Sequence, residues 1–242
     1  MPGEFQIDAP LTPAPQPFQG RGESNDAALT EDLALAQLKD SDLSSDAFEQ
    51  LYRNDSVMKS RKVRLAMASH QHTPRRIALR IVRELYTFEL MQFALKPTAA
   101  ADLKRIADEL LLSRLPSITL GERISLARRS STLVAAGLLL DKEPQVWQLA
   151  LENARLTEAA IVKTLQGPTG TRAFVEAVSH HPKWSVRHEV QVALLRNAHT
   201  PPAKALEFAR RLPVKQLRDI LHASRLPERI KSQLRKEREV SE

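Results

Sequence analysis

The sequence predicts an all-α fold, an α-solenoid of short helices stacked as repeats, and three observations predict it. The 242-residue chain is 42% hydrophobic but only 5% aromatic. Its core must therefore come from Leu, Ala, Val and Ile at helical spacing, and the polar/β-branched alternation of a sheet is absent. Beyond residue 28 only four glycines remain (Gly121, Gly137, Gly167, Gly170), all but Gly137 near proposed helix ends. Finally, three stretches close one helix and open the next with nearly the same residues. They are Val63–Pro74 (VRLAMASHQHTP), Val146–Thr157 (VWQLALENARLT) and Val190–Pro201 (VQVALLRNAHTP). Self-similarity of this kind marks an array whose units pack on their neighbours.

The elements follow in order. Residues 1–27 hold five of the fifteen prolines and three of the seven glycines without apolar periodicity, and read as a disordered, acidic, Pro-rich tail. Helical pattern then runs over 29–39, 45–54 and 60–69. It continues over 74–83, 87–95 and 99–113, then 120–129, 132–139 and 144–152. The last six helices are 157–165, 170–179, 184–196, 201–211, 214–222 and 227–237, with a disordered end at 238–242. Joints at His70, Ser113, Asn153 and Asn197 stand 43, 40 and 44 residues apart. Three helices fit between consecutive joints, which predicts five three-helix units across 28–237. A period of about 42 residues lies in the HEAT/armadillo range.

The joints carry helix punctuation. Asn197 suits the left-handed residue that ends a helix. Thr200 is placed to N-cap the next helix with Pro201 at its first position, and Thr73-Pro74 repeats this. Thr157-Glu158 supplies a cap and an acid at a helix start. Thr119 and Glu122 have capping-box spacing, and Ser45 with Phe48 has the spacing without the acid.

Composition removes whole classes of chemistry. The chain has no Cys, so disulfides, thiolate metal sites, iron–sulfur ligation and Cys nucleophiles are out, which suits a reducing compartment. The N-terminal stretch has no apolar core, and no run approaches about 18 apolar residues. The expectation is a cytoplasmic protein with no membrane contact. The net charge of +7 is uneven. Residues 1–54 carry ten acids against three bases, and the remainder 33 bases against 19 acids. A basic body with an acidic head suggests a polyanionic partner or a head that masks the body.

With the joints in hand, the chain resembles the leucine-rich repeat variant and HEAT-like helical repeat proteins of bacteria over roughly residues 28–230. The resemblance is carried by Arg196-Asn197-Ala198-His199-Thr200-Pro201-Pro202 and Glu152-Asn153-Ala154-Arg155-Leu156-Thr157. Leu120-Gly121-Glu122-Arg123-Ile124, Leu126-Ala127-Arg128-Arg129 and His181-Pro182-Lys183-Trp184 add to it. It implies an α-solenoid with a macromolecular binding surface. The Cys-ligated iron–sulfur module of some repeat-variant members has no ligands here. HEAT-like DNA glycosylases use Trp, Asp and Arg on a concave face, which draws attention to Trp147, Trp184, Asp141 and Arg187.

Other constellations read as structure. The seven His (His70, His72, His180, His181, His188, His199, His222) show no metal-ligand spacing, and His72 and His199 hold equivalent turn positions. Gly167-Pro168-Thr169-Gly170 has a GxxG shape but lacks the strands of a KH module. No GxSxG elbow occurs. Neither a cofactor nor a metal is implied.

Function is expected on the basic helix faces. Arg76, Arg80 and Arg83 share one face, and Arg123, Arg128, Arg129, Arg187, Arg211, Lys215 and Arg218 complete the candidate contacts. If successive units turned these faces inward, they would line a positive groove. The leading expectation is a non-enzymatic scaffold that binds a protein partner through its concave surface. The competing expectation is phosphate-backbone binding to nucleic acid.

Overall fold

In a computed structural model of the protein, the described residues are 29–168 and 170–239. The predicted tail over 1–27, Thr169 of the GxxG stretch and residues 240–242 lie outside them. The described residues form sixteen helices and no strand. The first eight are α1 (Glu31–Gln37), α2 (Ser45–Arg53), α3 (Asp55–Met58), α4 (Arg61–Ser69), α5 (Arg75–Glu84), α6 (Thr87–Leu95), α7 (Ala101–Arg114) and α8 (Leu120–Arg129). Then come α9 (Thr132–Leu138), α10 (Pro144–Leu151), α11 (Glu158–Gln166), α12 (Arg172–His180), α13 (His188–Arg196), α14 (Pro202–Arg210), α15 (Val214–His222) and α16 (Glu228–Glu239). All fifteen predicted helices have a counterpart. The additional one is α3, a single turn started by Asn54, whose Oδ1 accepts the N–H groups of Ser56 and Val57 at 3.1 and 3.3 Å. The helix predicted over 184–196 begins only at His188. Before it, Trp184 and Ser185 form a turn held by Gln191 Nε2, which donates to the Ser185 carbonyl at 2.8 Å.

The core is aliphatic, as the composition requires, with Phe48, Phe93 and Phe208 as its largest fully buried side chains. Packing is local along the chain. From α4 onward the main packings join each helix to its next or next-but-one neighbour, most extensively α6 with α7, and the next-but-one pairs are α4 with α6, α5 with α7, α7 with α9, α8 with α10, α10 with α12, α11 with α13, α13 with α15 and α14 with α16. No next-but-one pair starts at α6, α9 or α12 among these main packings, which leave the expected three-helix unit open. Gly137 lies inside α9, where an added Cβ would require the tip of the Leu112 side chain of α7 to shift. No helix among the described residues is long and apolar enough to cross a membrane.

The joints work differently from their predicted punctuation. Asn197 has φ −90° and ψ 135°, and no described residue has positive φ. Its side chain does the work instead. Asn197 Nδ2 donates to the Leu165 carbonyl at the end of α11 at 2.7 Å, and its Oδ1 accepts the His199 N–H at 2.9 Å. Asn153 does the same: Nδ2 donates to the Ala127 and Ser130 carbonyls at the end of α8 at 2.8 and 3.3 Å, and Oδ1 accepts the Arg155 N–H at 2.8 Å. At His70, Nδ1 accepts the His72 N–H at 3.2 Å while Nε2 meets the Asp40 carbonyl beyond α1 at 2.9 Å. Ser224 donates to the Leu195 carbonyl of α13 at 2.6 Å and accepts the Leu226 N–H at 3.1 Å. Each joint thus satisfies carbonyls that the end of an earlier helix leaves unpaired. Ser113 is not such a residue: its hydroxyl bonds within α7, to Leu110. Its neighbour Arg114 reaches the Leu85 and Arg83 carbonyls of the α5 end at 2.7 and 3.1 Å.

The Thr-Pro pairs also shift by one residue. Thr73 and Thr200 donate to the Met67 and Leu194 carbonyls, both at 2.6 Å, closing the outgoing helix. The N-caps of α5 and α14 are Pro74 and Pro201. Thr157 flanks α11 without a side-chain cap bond, and Ser44 rather than Ser45 caps α2, accepting the Ala47 N–H at 3.3 Å. The Thr119–Glu122 capping box is present. The Thr119 N–H donates to Glu122 Oε2 at 2.9 Å, and the Glu122 N–H returns to Thr119 Oγ1 at 3.3 Å. The Thr119 backbone N–H, and then its hydroxyl, which donates to Oε2 at 2.9 Å, hold the Glu122 carboxyl below its ordinary pKa.

Candidate partner-binding ledge

The joints that follow α8, α10 and α12 lie side by side and carry a group of exposed cations. The sequence LARR at the end of α8 places Arg128 and Arg129 in its last turn, where a positive charge complements the helix dipole. Asn153 ties the α10 joint to α8, and this sets Arg155 beside Arg129: Arg155 Nη1 donates to the Arg129 carbonyl at 3.3 Å. Thr132, the first residue of α9, donates to the Arg155 carbonyl at 2.7 Å. One step on, Trp184 Nε1 donates to the Leu151 carbonyl at 2.8 Å, and His181 Nε2 meets Glu152 Oε1 at 3.0 Å. These contacts fix the α12 joint, with Lys183 lying 4.1 Å from the centroid of the buried Trp184 ring. Arg187 closes the row as the N-cap of α13. Packed parallel helices stand about 8–10 Å apart, so the ledge offers cations at a regular step.

What distinguishes the ledge is the lack of counter-ions. Among the described residues, no Arg or Lys between positions 124 and 200 has an ion-pair partner, whereas pairs are frequent on both sides of that stretch. Arg128, Arg129, Arg155, Lys183 and Arg187 are all exposed. The acids of the same stretch do not pair with them: Glu152 meets His181 and Asp141 meets Arg123.

The ten candidate contacts separate on this criterion. Arg128, Arg129 and Arg187 are brought together on the ledge. Arg76 pairs with Glu49. Arg80 pairs with Glu84 at 3.9 Å and lies 6.0 Å from the Tyr52 ring centroid. Both line a groove of about 360 Å³ with Glu49, Tyr52, Arg53 and Ile77. Arg123 points into an ion pair with Asp141 at 3.3 Å, with only 22% and 6% of their side chains exposed, so it is a packing residue. Arg211 pairs with Glu207 at 2.9 Å. Glu207 is held below its ordinary pKa chiefly by the Lys204 hydrogen bond. Arg83, Lys215 and Arg218 are exposed without an ion pair. Arg155 and Lys183 were missed as contacts, although a positional signal marks them. Each stands two residues after a joint side chain that binds its backbone N–H, Asn153 and His181 respectively.

Three of the four groups that suggested glycosylase-like chemistry are taken up in packing, while Arg187 is exposed on the ledge. Trp147 is buried edge-on to Phe174 at 5.7 Å between centroids, Trp184 is buried, and Asp141 is held by Arg123. Among the described residues no group of three His, Asp or Glu could hold a metal. Compared with family models, curated proteins and solved structures, the chain finds no match.

Proposed function

We propose that α4–α16 form an α-solenoid of short helices that acts as a binding scaffold, and that its protein partner presents an acidic segment to the ledge. The observation that carries this reading is the row of five exposed, unpaired cations on the joints of α8, α10 and α12. A cation held in place by a joint and lacking a local counter-ion supplies complementarity and association rate to an acidic partner. A protein partner fits better than a phosphate backbone for two reasons. The only Trp of the ledge is buried beneath Lys183, so no base can stack there. Along the chain Glu152, Glu158 and Glu189 alternate with the cations, which breaks the run of positive charge that a continuous polyanion would follow.

The test is affinity capture from nuclease-treated source lysate with the wild type and with an Arg129→Glu/Arg155→Glu variant, both checked for equal melting temperature. Proteins retained by the wild type and lost by the variant support the reading. An unchanged protein set overturns it. Titration with generic DNA and RNA across a salt series tests the competing expectation, for which affinity must fall steeply as salt rises.

A further inference from the structure

A second feature, independent of the ledge, lies where the joints of α1, α4 and α6 meet. A cleft of about 340 Å³ opens there, lined among others by Lys39, Ser41, His70, Gln71, Lys96 and Thr98. That volume lies within the range of small-ligand sites. Lys96 follows the last residue of α6 and is only half exposed. Among the described residues no carboxylate lies within ion-pair distance of it, and burial lowers its pKa. A partly desolvated ammonium with no counter-ion is unfavourable unless an anion completes it. Lys39 brings a second unpaired ammonium to the same cleft.

The remaining lining decides which anion fits. The His70 ring contributes no charge. Its Nδ1 accepts the His72 N–H, so Nε2 carries the proton and donates to the Asp40 carbonyl. The Asp40 carboxylate is turned to its own loop, where Oδ1 accepts the Asp42 N–H at 3.0 Å, and it does not line the cleft. The Ser41 and Thr98 hydroxyls and the Gln71 amide have no partners among the described residues, so they are free to donate. Two ammoniums and three neutral donors match a group of nearly two negative charges with several acceptor oxygens. A phosphate monoester carries about −1.5 to −2 at neutral pH, and a single carboxylate would leave one ammonium unmatched. Lysine serves phosphate as a point charge, and the cleft has no Arg fork for planar bidentate recognition of a carboxylate.

We infer that the cleft between the α1, α4 and α6 joints binds a phosphate monoester through Lys96 and Lys39. The test is calorimetric titration of the full chain with inorganic phosphate, N-acetyl-O-phosphoserine amide and its unphosphorylated counterpart. Saturable binding of either phosphate probe and none of the hydroxyl compound is expected. Tighter binding of the phosphoserine derivative assigns the ester to a modified side chain, and binding of inorganic phosphate at least as tight assigns it to a free phosphorylated compound. Lys96→Met and Lys39→Met should each weaken binding about tenfold or more, while Lys163→Met, far along the chain, and the Arg129→Glu/Arg155→Glu ledge variant should not. Melting curves establish that the variants fold. No saturable binding by the wild type, or affinity unmoved by Lys96→Met in a folded protein, overturns the inference.

Discussion

Asn153→Ala tests how far the joints hold the array together. The side chain is 1% exposed. It donates to the Ala127 and Ser130 carbonyls at 2.8 and 3.3 Å and accepts the Arg155 N–H at 2.8 Å. Ala127 and Ser130 are themselves fully buried, so truncation leaves two carbonyls at the end of α8 that water cannot reach. A buried polar group left unpaired costs about 1–3 kcal/mol. Sharing one amide between two carbonyls makes the sum smaller than twice that, and a loss of about 2–4 kcal/mol is expected. Urea denaturation followed by far-UV circular dichroism gives the magnitude. Tryptophan fluorescence shows where the loss falls, since Trp147 lies on α10 and Trp184 donates to Leu151 of the same helix. Asn153→Asp provides a control of equal size. At neutral pH its carboxylate faces two carbonyls and should cost more than Ala, and part of that excess should vanish below the ordinary aspartate pKa of about 3.9, where the acid can donate. A loss under about 0.5 kcal/mol for Asn153→Ala, the level of an ordinary surface change, would refute the assignment of the joint as a structural tie.

Three further outcomes follow from the same contacts. Asn197→Pro should cost roughly 3 kcal/mol or more in a thermal or urea melt, because it removes the Asn197 N–H bond to Leu194 at 2.9 Å and the tie to Leu165, and crowds the helical Arg196 before it. Asp141→Ala should cost about 2–4 kcal/mol by the same melt. It strands the half-buried Arg123, whose Nε already lacks a partner, and Arg123's partial exposure keeps the loss toward the low end for a broken buried pair. Asp108→Asn should stabilise at neutral pH, because the neutral amide removes the cost of burying the carboxylate charge. Burial raises the Asp108 pKa, with the Ser131 hydrogen bond opposing it. The folded state therefore binds the proton more tightly than the unfolded state, and wild-type stability declines as pH rises from the ordinary aspartate value through the raised one. The variant's advantage should grow over that window and disappear below it, and a constant difference across pH would show that charge burial is not its source.

Much of the fold was legible because helix formation is local. Apolar spacing and the Pro, Gly and Thr punctuation located all fifteen predicted helices, and the Thr119–Glu122 box could be read from two residues three apart. The unit length is less legible, because the joints resemble one another for a reason unrelated to it. Every helix end leaves carbonyls unpaired, so His70, Asn153, Asn197 and Ser224 meet the same need. Joints taken at every third helix stand 43, 40 and 44 residues apart, but their likeness alone does not fix the unit. Asn197 was assigned a left-handed turn from its type alone. An Asn whose amide reaches a carbonyl 32 residues earlier leaves no local mark.

The same distinction governs the surface. Sequence shows that Arg123 and Arg128 are basic and close in the chain, but not that Asp141, eighteen residues on, turns one of them into a packing residue and leaves the other free. The ledge depends on what is missing around its cations, and an absence of neighbours exists only in three dimensions. One part of it does have a one-dimensional trace. Four joint side chains, His70, Asn153, His181 and Asn197, each accept the backbone N–H of the residue two places on, and those residues are His72, Arg155, Lys183 and His199. The pattern of an acceptor, any residue and then a basic one ties a cation to a fixed backbone position. It recurs at four joints, though not at Ser224, where the residue two places on is Leu226, so it supplies basic positions at several helix-row ends. The counter-ions that do or do not reach them then decide which edge of the array is free to meet a partner.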